Sequence, residues 1–341
     1  MTEPAIQELL IRARRAFRER WPAAEIDELE PLPGGISSLT FAATLRGAGT
    51  GDRRVVIKVA PTGLPPVRNR DVLRQARVME AVRDALGVHV PAVLVRDAGA
   101  PPFFVMEFVA GEAYEPRWDV SEAPPAPEAV DARARAAARM LARLQAIEPA
   151  SAGLADEPAL SLTHELKRWG ALFATAGDDL RGNESELQRA LGDRVPAPMP
   201  PRILHGDYRL GNMQFAGDRL AAIIDWEIWS VGDPRTDLAW LMMFADPVAQ
   251  RVPGRDAANR AAADAMPSGT ALLAEYLRVA GGDEPADLDW FLAFCDYKLG
   301  AAMSVLAKRN RRLPKPDPGL ELVAQTTPPM LAHGLELLGR S

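Results

Sequence analysis

One polar stretch in the middle of the chain decides the fold: residues 203–237 read ILHGDYRLGNMQFAGDRLAAIIDWEIWSVGDPRTD. Within it, Asp207 and Asn212 stand five residues apart. The residues that follow have the pattern of a β-hairpin with a turn at residues 217–218, and such a hairpin would return Asp225 to the side of the other two polar residues. We therefore expect one loop and one strand end to share a metal ion.

The side chains of this stretch suit phosphoryl transfer to a hydroxyl group. Mg²⁺ takes oxygen ligands and is commonly held by one or two carboxylates together with substrate phosphates, so Asn212 and Asp225 suit it. In the kinase arrangement a loop aspartate accepts the hydroxyl proton, while a downstream asparagine and a second aspartate hold the metal ions. Asp207, Asn212 and Asp225 follow that order. The sequence therefore predicts a phosphotransferase that uses ATP and Mg²⁺.

The same residues carry a family resemblance. HGDYRLGN (residues 205–212) and IDWE (residues 224–227) resemble the HGDxxxxN loop and the IDxE strand end of the aminoglycoside phosphotransferase family. The alternative, that two ordinary turns match by chance, is disfavoured by their order, their separation and a lysine-bearing strand upstream. The resemblance covers nearly the whole chain and implies an α+β, two-lobed protein-kinase-like fold. A β-rich N-terminal lobe is expected at residues 1–108 and a mainly helical C-terminal lobe at residues 109–341.

Upstream, the sequence indicates a nucleotide site. Residues 55–59 form a β-branched run whose one charge is Lys58, and in the kinase arrangement such a lysine contacts the α- and β-phosphates. A solvent-facing lysine on an edge strand is the alternative. The preceding segment supplies Gly35, Ser37 and Ser38 between predicted strands, where backbone N–H groups can approach phosphates, although a plain hairpin turn would look the same.

A predicted helix at residues 71–86 has one apolar face, and Gln75 is its polar member. The resemblance implies a glutamate on this helix that pairs with Lys58, and Gln75 stands in the place of that glutamate. An amide oxygen can accept a hydrogen bond from the ammonium group, but it lacks the charge that strengthens such a bond. Glu80, the nearest acid downstream, lies off the apolar face.

Residues 101–111 read as an apolar strand that ends in a loop. The resemblance implies that this segment connects the lobes and binds adenine. Met106 is expected to border the base, and backbone atoms of Glu107, Phe108 and Val109 are expected to contact it. A core strand without a ligand is the alternative for each side chain.

The sequence indicates the acceptor less directly. Only eleven residues separate Asp225 from Asp237, which is too short for a regulated activation segment and favours a small molecule over a protein. Arg209 is either a contact of the transferred phosphoryl group or a surface arginine, and His205 is expected to brace the loop. One predicted helix carries four aromatic residues that form either an apolar acceptor wall or core: Trp290, Phe291, Phe294 and Tyr297.

Three readings of the function remain after these observations. HGDYRLGN, IDWE and the stretch GDPRTDLAW (residues 232–240) resemble most the kinase-like domains associated with acyl-CoA dehydrogenases, which implies hydroxyacyl thioester substrates. We therefore expect an enzyme that phosphorylates a small-molecule hydroxyl, of a largely apolar alcohol or a hydroxyacyl compound. An aminoglycoside O-phosphotransferase is the first alternative, although residues 284–341 hold seven acids and seven bases, without the excess acid that a polycation requires. A catalytically inactive, nucleotide-binding pseudokinase is the second, motivated by Gln75.

The length, net charge and cysteine content of the chain limit the kinds of partner and location that we expect. The chain has 341 residues, which favours two lobes, and its net charge of −6 gives no general attraction to nucleic acid or anionic lipid. No apolar run approaches the ~20 residues of a membrane span, so a cytoplasmic protein is expected. The single cysteine, Cys295, excludes a disulfide within the chain. The sequence gives no indication of the oligomeric state.

Overall fold

The computed structural model describes residues 3–32, 38–49, 51–83, 85–246 and 255–339. The strands are β1 (Glu25–Ile26), β2 (Glu30–Pro31), β3 (Leu39–Arg46), β4 (Arg53–Val59), β5 (Val93–Asp97), β6 (Phe103–Glu107), β7 (Arg202–Leu204), β8 (Met213–Ala216), β9 (Arg219–Ile223) and β10 (Ser230–Gly232). The helices are α1 (Glu3–Arg20), α2 (Val72–Val82), α3 (Pro127–Ala146), α4 (Leu162–Phe173), α5 (Asp178–Arg181), α6 (Glu184–Asp193), α7 (Arg235–Ala245), α8 (Ala257–Asp264), α9 (Gly269–Ala280), α10 (Leu288–Asn310), α11 (Pro318–Ala324) and α12 (Thr327–Gly339).

The N-terminal part is built on one antiparallel sheet in the order β1-β3-β4-β6-β5, with β2 beside β3. Alternate side chains of a strand point to opposite faces of the sheet. Val55, Ile57 and Val59 of β4 therefore share one face, where they join the apolar cluster that includes α1, and Lys58 points to the other face. Because β4 is paired on both sides and Lys58 is only 7% exposed, the edge-strand alternative for this lysine is excluded.

Helix α2 lies on the Lys58 side of the sheet, and its apolar face joins a cluster that includes Phe104 of β6. The helix begins after Asp71, whose side chain accepts a hydrogen bond from the backbone N–H of Arg74 (3.0 Å) and so caps the first turn. It ends at Val82, four residues earlier than predicted. Leu86 has a left-handed backbone (φ 49°) and is 60% exposed, so it leaves the buried face that its spacing suggested.

The C-terminal part is helical, with α10 at its centre against α4, α7, α11 and α12. The four aromatic residues of α10 that the sequence left open are core residues, none more than 4% exposed: Trp290, Phe291, Phe294 and Tyr297. The interpretation of these residues as an acceptor wall is therefore wrong. Within the described residues, α10 is also the one helix long and apolar enough to cross a membrane, but 78% of its apolar window is buried inside the protein, as in a core helix.

The predicted hairpin is present as β8 and β9, joined at residues 217–218. The predicted division into a β-rich N-terminal part and a mainly helical C-terminal part is confirmed. The boundary at residue 108 stays a prediction, because one apolar cluster contains side chains from α2 and β6 as well as from α3 and β9.

Candidate active site

The loop at residues 205–212 is held in place by α7. Asp237 of that helix accepts hydrogen bonds from the first two backbone N–H groups of the loop, at 2.6 and 3.0 Å. The His205 ring accepts from the N–H of Asp207 at Nδ1 (3.3 Å), so its Nε2 carries the proton and donates to the carbonyl of Ile224 (2.8 Å). His205 therefore links the loop to the end of the β8–β9 hairpin, and the prediction that it braces the loop is confirmed.

Three donors surround the carboxylate of Asp207. The indole Nε1 of Trp240 donates to Oδ1 (2.9 Å), Nδ2 of Asn212 donates to Oδ2 (2.7 Å), and Nε of Arg209 lies 3.2 Å from both oxygens. Burial alone would raise the pKa of this carboxyl, but the charges of Arg209 and Lys298 and the Trp240 hydrogen bond together lower the pKa below its usual range. The side chain keeps 27% of its surface exposed. Asp207 is thus an ionised, oriented acceptor at the surface of the site.

Arg209 lies between two aromatic rings, with its guanidinium carbon 5.8 Å from the centroid of Trp118 and 5.6 Å from that of Phe244. Its side chain is 21% exposed, so the reading of Arg209 as a surface arginine is wrong. Nη1 of Arg209 also lies 3.7 Å from the fully buried carboxylate of Glu115. Burial raises the pKa of Glu115 to about 7, although Arg209 opposes the rise. A contact of Arg209 with the transferred phosphoryl group stays a prediction.

The two residues predicted to bind a metal meet through the backbone. The N–H of Ile224 donates to the carbonyl of Asn212 (2.9 Å), which brings the following residue, Asp225, beside the loop. The side-chain nitrogen of Asn212 donates to the carbonyl and the carboxylate of Asp207, and its Oδ1 is left as the atom that a cation would bind. Asp225 has a left-handed backbone (φ 62°), a conformation that is uncommon outside glycine and recurs at functional sites.

Lys58 completes this group of polar side chains. Its Nζ donates to Oδ1 of Asp225 at 2.7 Å, and the Asp225 side chain is 42% exposed. The structure thus brings together the strand lysine, the loop residues Asp207 and Asn212, and the aspartate at the end of the hairpin. Their separate roles in binding and transfer remain predictions.

Gln75 does not hydrogen-bond to Lys58, which corrects the expectation that these two side chains pair. The side chain is buried on the inner face of α2, as its spacing predicted, but Nε2 donates to the backbone carbonyl of Asn69 at 3.1 Å. Lys58 instead donates to the carboxylate of Asp225. The charge of this carboxylate makes the hydrogen bond stronger than one to a neutral amide. Glu80 pairs with Arg96 (3.1 Å), so it does not replace the missing glutamate either.

Substitution of Gln75 by leucine should therefore weaken folding more than nucleotide binding. The variant loses one hydrogen bond to Asn69, so we expect the free energy of unfolding to fall by about 1 kcal/mol. The affinity for Mg-ATP should stay within about twofold, whereas Lys58→Met should weaken it at least about tenfold, because a phosphate ligand is lost. Urea unfolding and calorimetry measure the two effects. A Gln75→Leu variant that binds Mg-ATP as weakly as Lys58→Met would restore Gln75 to the nucleotide site.

Of the predicted phosphate-binding residues before β3, the structure describes only Ser38. Gly35 and Ser37 lie outside the described residues. Ser38 is 4% exposed, and its hydroxyl has no hydrogen-bond partner within the part of the chain that the structure describes. A buried hydroxyl without a partner is costly. The proximity of Ser38 to a nucleotide stays a prediction, and its unmatched hydroxyl is compatible with it.

Strand β6 leads into the connection between the two parts of the protein. Met106, the next-to-last residue of this strand, is half-buried. The N–H of Glu107 donates to the carbonyl of Ala92 (2.9 Å), and the N–H of Phe108 donates to that of Arg54 (3.3 Å). These two backbone donors are therefore engaged within the protein and are not free for adenine. Contacts through their carbonyl groups, and through the backbone of Val109, remain predictions.

Four residues that hydrogen-bond the loop were not indicated by the sequence: Glu115, which accepts from the N–H of Gly211 (3.1 Å), Lys298, which donates to the carbonyl of Gly206, and Asp237 and Trp240. Two signals could have indicated them. Asp237, Trp240 and Phe244 recur at spacings of three and four residues, which places them on one face of α7. Lys298 stands in a mainly apolar helix, as Lys58 stands in an apolar strand, and a charge in such a setting requires a partner.

Comparison with known proteins identifies the group to which these features belong. A family model described as a phosphotransferase enzyme family matches residues 28–281, a range that contains Lys58, Asp207, Asn212 and Asp225. Acyl-CoA dehydrogenase family member 10 of Mus musculus is 25% identical over 276 residues, which are 76% of this chain and 25% of the mouse protein. The chain thus spans about a quarter of the length of this relative.

Solved structures resemble the whole chain. A protein of Ralstonia eutropha, provisionally named an aminoglycoside phosphotransferase, gives a TM-score of 0.75 at 22% identity, over 96% of this chain and 97% of that protein. The ternary complex of the phosphotransferase APH(2'')-IIa with streptomycin and ATP gives 0.57 at 19% identity, over 97% and 99% of the two chains. These likenesses confirm the two-lobed, protein-kinase-like fold.

Proposed function

Because the chain belongs to the phosphotransferase enzyme family, whose members phosphorylate hydroxyl groups of small molecules, we propose that it transfers the γ-phosphoryl group of ATP to such an acceptor in the presence of Mg²⁺. The observation that carries the proposal is the convergence of four side chains from three segments of the chain: Lys58, Asp207, Asn212 and Asp225. Charge stabilisation and positioning supply nearly all of the catalysis in phosphoryl transfer, and these residue types provide both.

Each residue has a distinct task in this proposal. Asp207 receives the hydrogen of the acceptor hydroxyl, because its carboxylate is ionised, oriented by its donors and partly exposed. Lys58 binds phosphate oxygens of the nucleotide, and its pairing with Asp225 holds the ammonium group beside a predicted metal ligand. Arg209, held beside Asp207, is placed to stabilise charge on the transferred group.

The donor set fits Mg²⁺. Asn212 and Asp225 offer an amide oxygen and a carboxylate, which are the hard donors that this ion prefers, and substrate phosphates complete such sites. The nitrogen of the Asn212 amide is directed at Asp207, which orients its oxygen away from that residue. Asn212 and Asp225 would hold the ion together with the phosphates, and it would supply neutralisation of the charge that develops during transfer.

We propose that the acceptor is a largely apolar alcohol or a hydroxyacyl compound. The name of the mouse relative, an acyl-CoA dehydrogenase family member, supports an acyl substrate. Apart from Asn212, the side chains that contact Asp207 are aromatic or cationic, namely Trp240 and Arg209, and Lys298 lies behind the tryptophan ring. Glu115 is fully buried and therefore has no surface to offer a cationic acceptor, and the exposed Asp119, which accepts a hydrogen bond from the N–H of Glu115, supplies one negative charge against the charges of Arg209 and Lys298.

Aminoglycosides of the kanamycin type should accordingly be poor acceptors. Arg209 and Lys298 repel a polycation at the loop, and the helices at the C-terminal end carry no excess of carboxylate. We expect kcat/KM for kanamycin below about 10⁴ M⁻¹s⁻¹, the lower limit of working enzymes. Coupled detection of ADP release measures this constant. A value inside the working range would promote the alternative, an aminoglycoside O-phosphotransferase.

ATP turnover in Mg²⁺ and in EDTA tests the proposed function itself. An enzyme should release ADP with a panel of aliphatic alcohols and hydroxyacyl thioesters in Mg²⁺, and not in EDTA. A pseudokinase would bind ATP without turnover under either condition. The polar residues expected of an active enzyme are present, which argues against the pseudokinase.

The exclusion of nucleic acid and membrane as partners, and the cytoplasmic location, rest on the sequence and remain predictions.

A further inference from the structure

One face of α7 supports the 205–212 loop at three points. Asp237 holds the backbone of the loop, Trp240 donates its indole N–H to the Asp207 carboxylate, and Phe244 lies beside the guanidinium of Arg209. The spacing of three and four residues places these side chains in one row along the helix. The loop backbone, the carboxylate and the neighbouring arginine therefore rest on a single rigid element.

The indole N–H has a particular effect on Asp207. The last torsion of an aspartate is broad, so a single donor does not define the plane of the carboxylate. Here Trp240 donates to Oδ1 (2.9 Å) and Asn212 to Oδ2 (2.7 Å), while Nε of Arg209 lies 3.2 Å from both oxygens, and together these donors define that plane. Asn212 is already assigned to the metal and Arg209 to the transferred phosphoryl group, which leaves Trp240 as the donor to Asp207 without another proposed task.

Lys298 of α10 holds the tryptophan from its other side. Its ammonium nitrogen lies 4.0 Å from the centroid of the Trp240 ring and donates a hydrogen bond to the carbonyl of Gly206. The side chain is 6% exposed and forms no salt bridge within the described residues. A buried cation costs folding free energy unless nearby charge compensates it, and the charges of Lys298 and of the buried carboxylates of Asp207 and Asp237 act on each other. The Trp240 ring and the Gly206 carbonyl, its two nearest contacts, both belong to the support of Asp207, and the Trp169 ring lies farther away at 5.7 Å.

We propose that Trp240 and Lys298 are positioning residues of the phosphoryl-transfer site: Trp240 holds the Asp207 carboxylate, and Lys298 holds the Trp240 ring against the 205–212 loop. The inference rests on the proposed function, since it assumes that Asp207 faces the acceptor hydroxyl. Small displacements of a catalytic group have large kinetic effects, and about 1 Å can cost about 100-fold. Among the described residues, neither side chain has a hydrogen bond or ring contact with Ser38, Lys58 or the 106–109 segment, so their action should appear in kcat and not in the affinity for ATP.

Three variants separate positioning from general stability. Trp240→Phe keeps a ring for Lys298 and removes the N–H, and Lys298→Met keeps the apolar stem and removes the charge. Trp290→Phe is the matched control, because Trp290 is also 4% exposed and donates its indole N–H, but to the carbonyl of Leu191 in the helical core. We measure Mg-ATP turnover with water as the acceptor, and with the best alcohol of the panel, together with urea unfolding.

For Trp240→Phe and Lys298→Met we expect kcat to fall about tenfold or more with KM for ATP within about twofold, and for Trp290→Phe we expect an unchanged kcat. Lys298→Met should also lower the stability to urea, because it removes the hydrogen bond to Gly206 and a positive charge that acts on the buried carboxylates of Asp207 and Asp237, so its loss of kcat is read beside that of the neutral change Trp240→Phe. In ¹H–¹⁵N spectra, the indole signal that Trp240→Phe removes should shift in Asp207→Asn, and that of Trp290 should not.

The results that overturn the inference are distinct from those that overturn the function. A wild-type enzyme that turns over ATP, with unchanged kcat in Trp240→Phe, removes the positioning role and leaves the proposed function standing. Equal losses of kcat in Trp240→Phe and Trp290→Phe also remove it, because they indicate a general effect on folding. A wild-type protein that turns over no ATP with any acceptor overturns the proposed function, and the positioning role with it.

Discussion

Replacement of Asp207 by asparagine is expected to slow phosphoryl transfer by about 100- to 10,000-fold, while the affinity for ATP changes by no more than about threefold. A group that receives the acceptor hydrogen acts on the acceptor and not on the nucleotide. Asparagine has nearly the same shape but lacks the charge and the basicity. Steady-state turnover and calorimetry with Mg-ATP measure the two quantities.

The hydrogen bonds around Asp207 make this substitution more damaging than the loss of basicity alone. The carboxylate accepts from Trp240 at one oxygen and from Asn212 at the other. An asparagine has one oxygen and one NH₂ group, so in either orientation its nitrogen faces a donor. The amide should therefore rotate or shift, and the acceptor should lose its orientation as well as its base.

Asp97→Asn is a suitable control for the Asp207 variant. Asp97 is a mostly buried carboxylate, 11% exposed at its side chain, and it pairs with Arg12 at 2.6 Å on the far side of the N-terminal sheet. Its replacement should cost stability and leave turnover unchanged. Unchanged turnover in Asp207→Asn itself would remove Asp207 from its proposed role, whatever the control shows.

The parts of the site that could be predicted from the sequence are those defined by local spacing. The 205–212 loop, the hairpin after it and the return of Asp225 depend on turns and alternation within about 20 residues, and the structure reproduces them. Lys58 was recognised because a single charge in a β-branched run requires an explanation, and the structure buries it beside Asp225. Such features need no knowledge of how distant elements pack.

The parts that could not be predicted depend on tertiary packing. The spacing along α2 predicted correctly that Gln75 is buried. It did not predict that the Gln75 amide donates to the carbonyl of Asn69 and does not pair with Lys58. Periodicity likewise gives no means of separating an aromatic core from an aromatic binding wall, and the α10 residues proved to be core. Lys298 lies 92 residues from Gly206, and only the packing of α10 against α7 brings them together.

The second large effect is expected at Asp225, whose replacement by alanine should remove the dependence of nucleotide binding on Mg²⁺. Asp225 is the one carboxylate of the proposed metal pair, and changes around metal ligands already cost about 10- to 100-fold in affinity when they spare the ligand itself. We therefore expect Mg-ATP to bind at least about 100-fold more weakly. Calorimetry with ATP in Mg²⁺ and in EDTA gives the two affinities, which should become similar in the variant.

Asp225 is both a proposed metal ligand and the partner of Lys58. Two further variants separate the loss of the metal ligand from the loss of this pairing. Oδ1 of Asp225 accepts from Lys58, so removal of the carboxylate also frees the ammonium group. In Lys58→Met the carboxylate loses its partner, and binding should weaken but should keep its dependence on Mg²⁺. Asp218→Ala removes an exposed acid from the turn of the same hairpin and should leave both affinities unchanged. Normal Mg-ATP affinity in Asp225→Ala would contradict the assignment, because no other carboxylate on this hairpin lies beside Asn212 and Lys58 together.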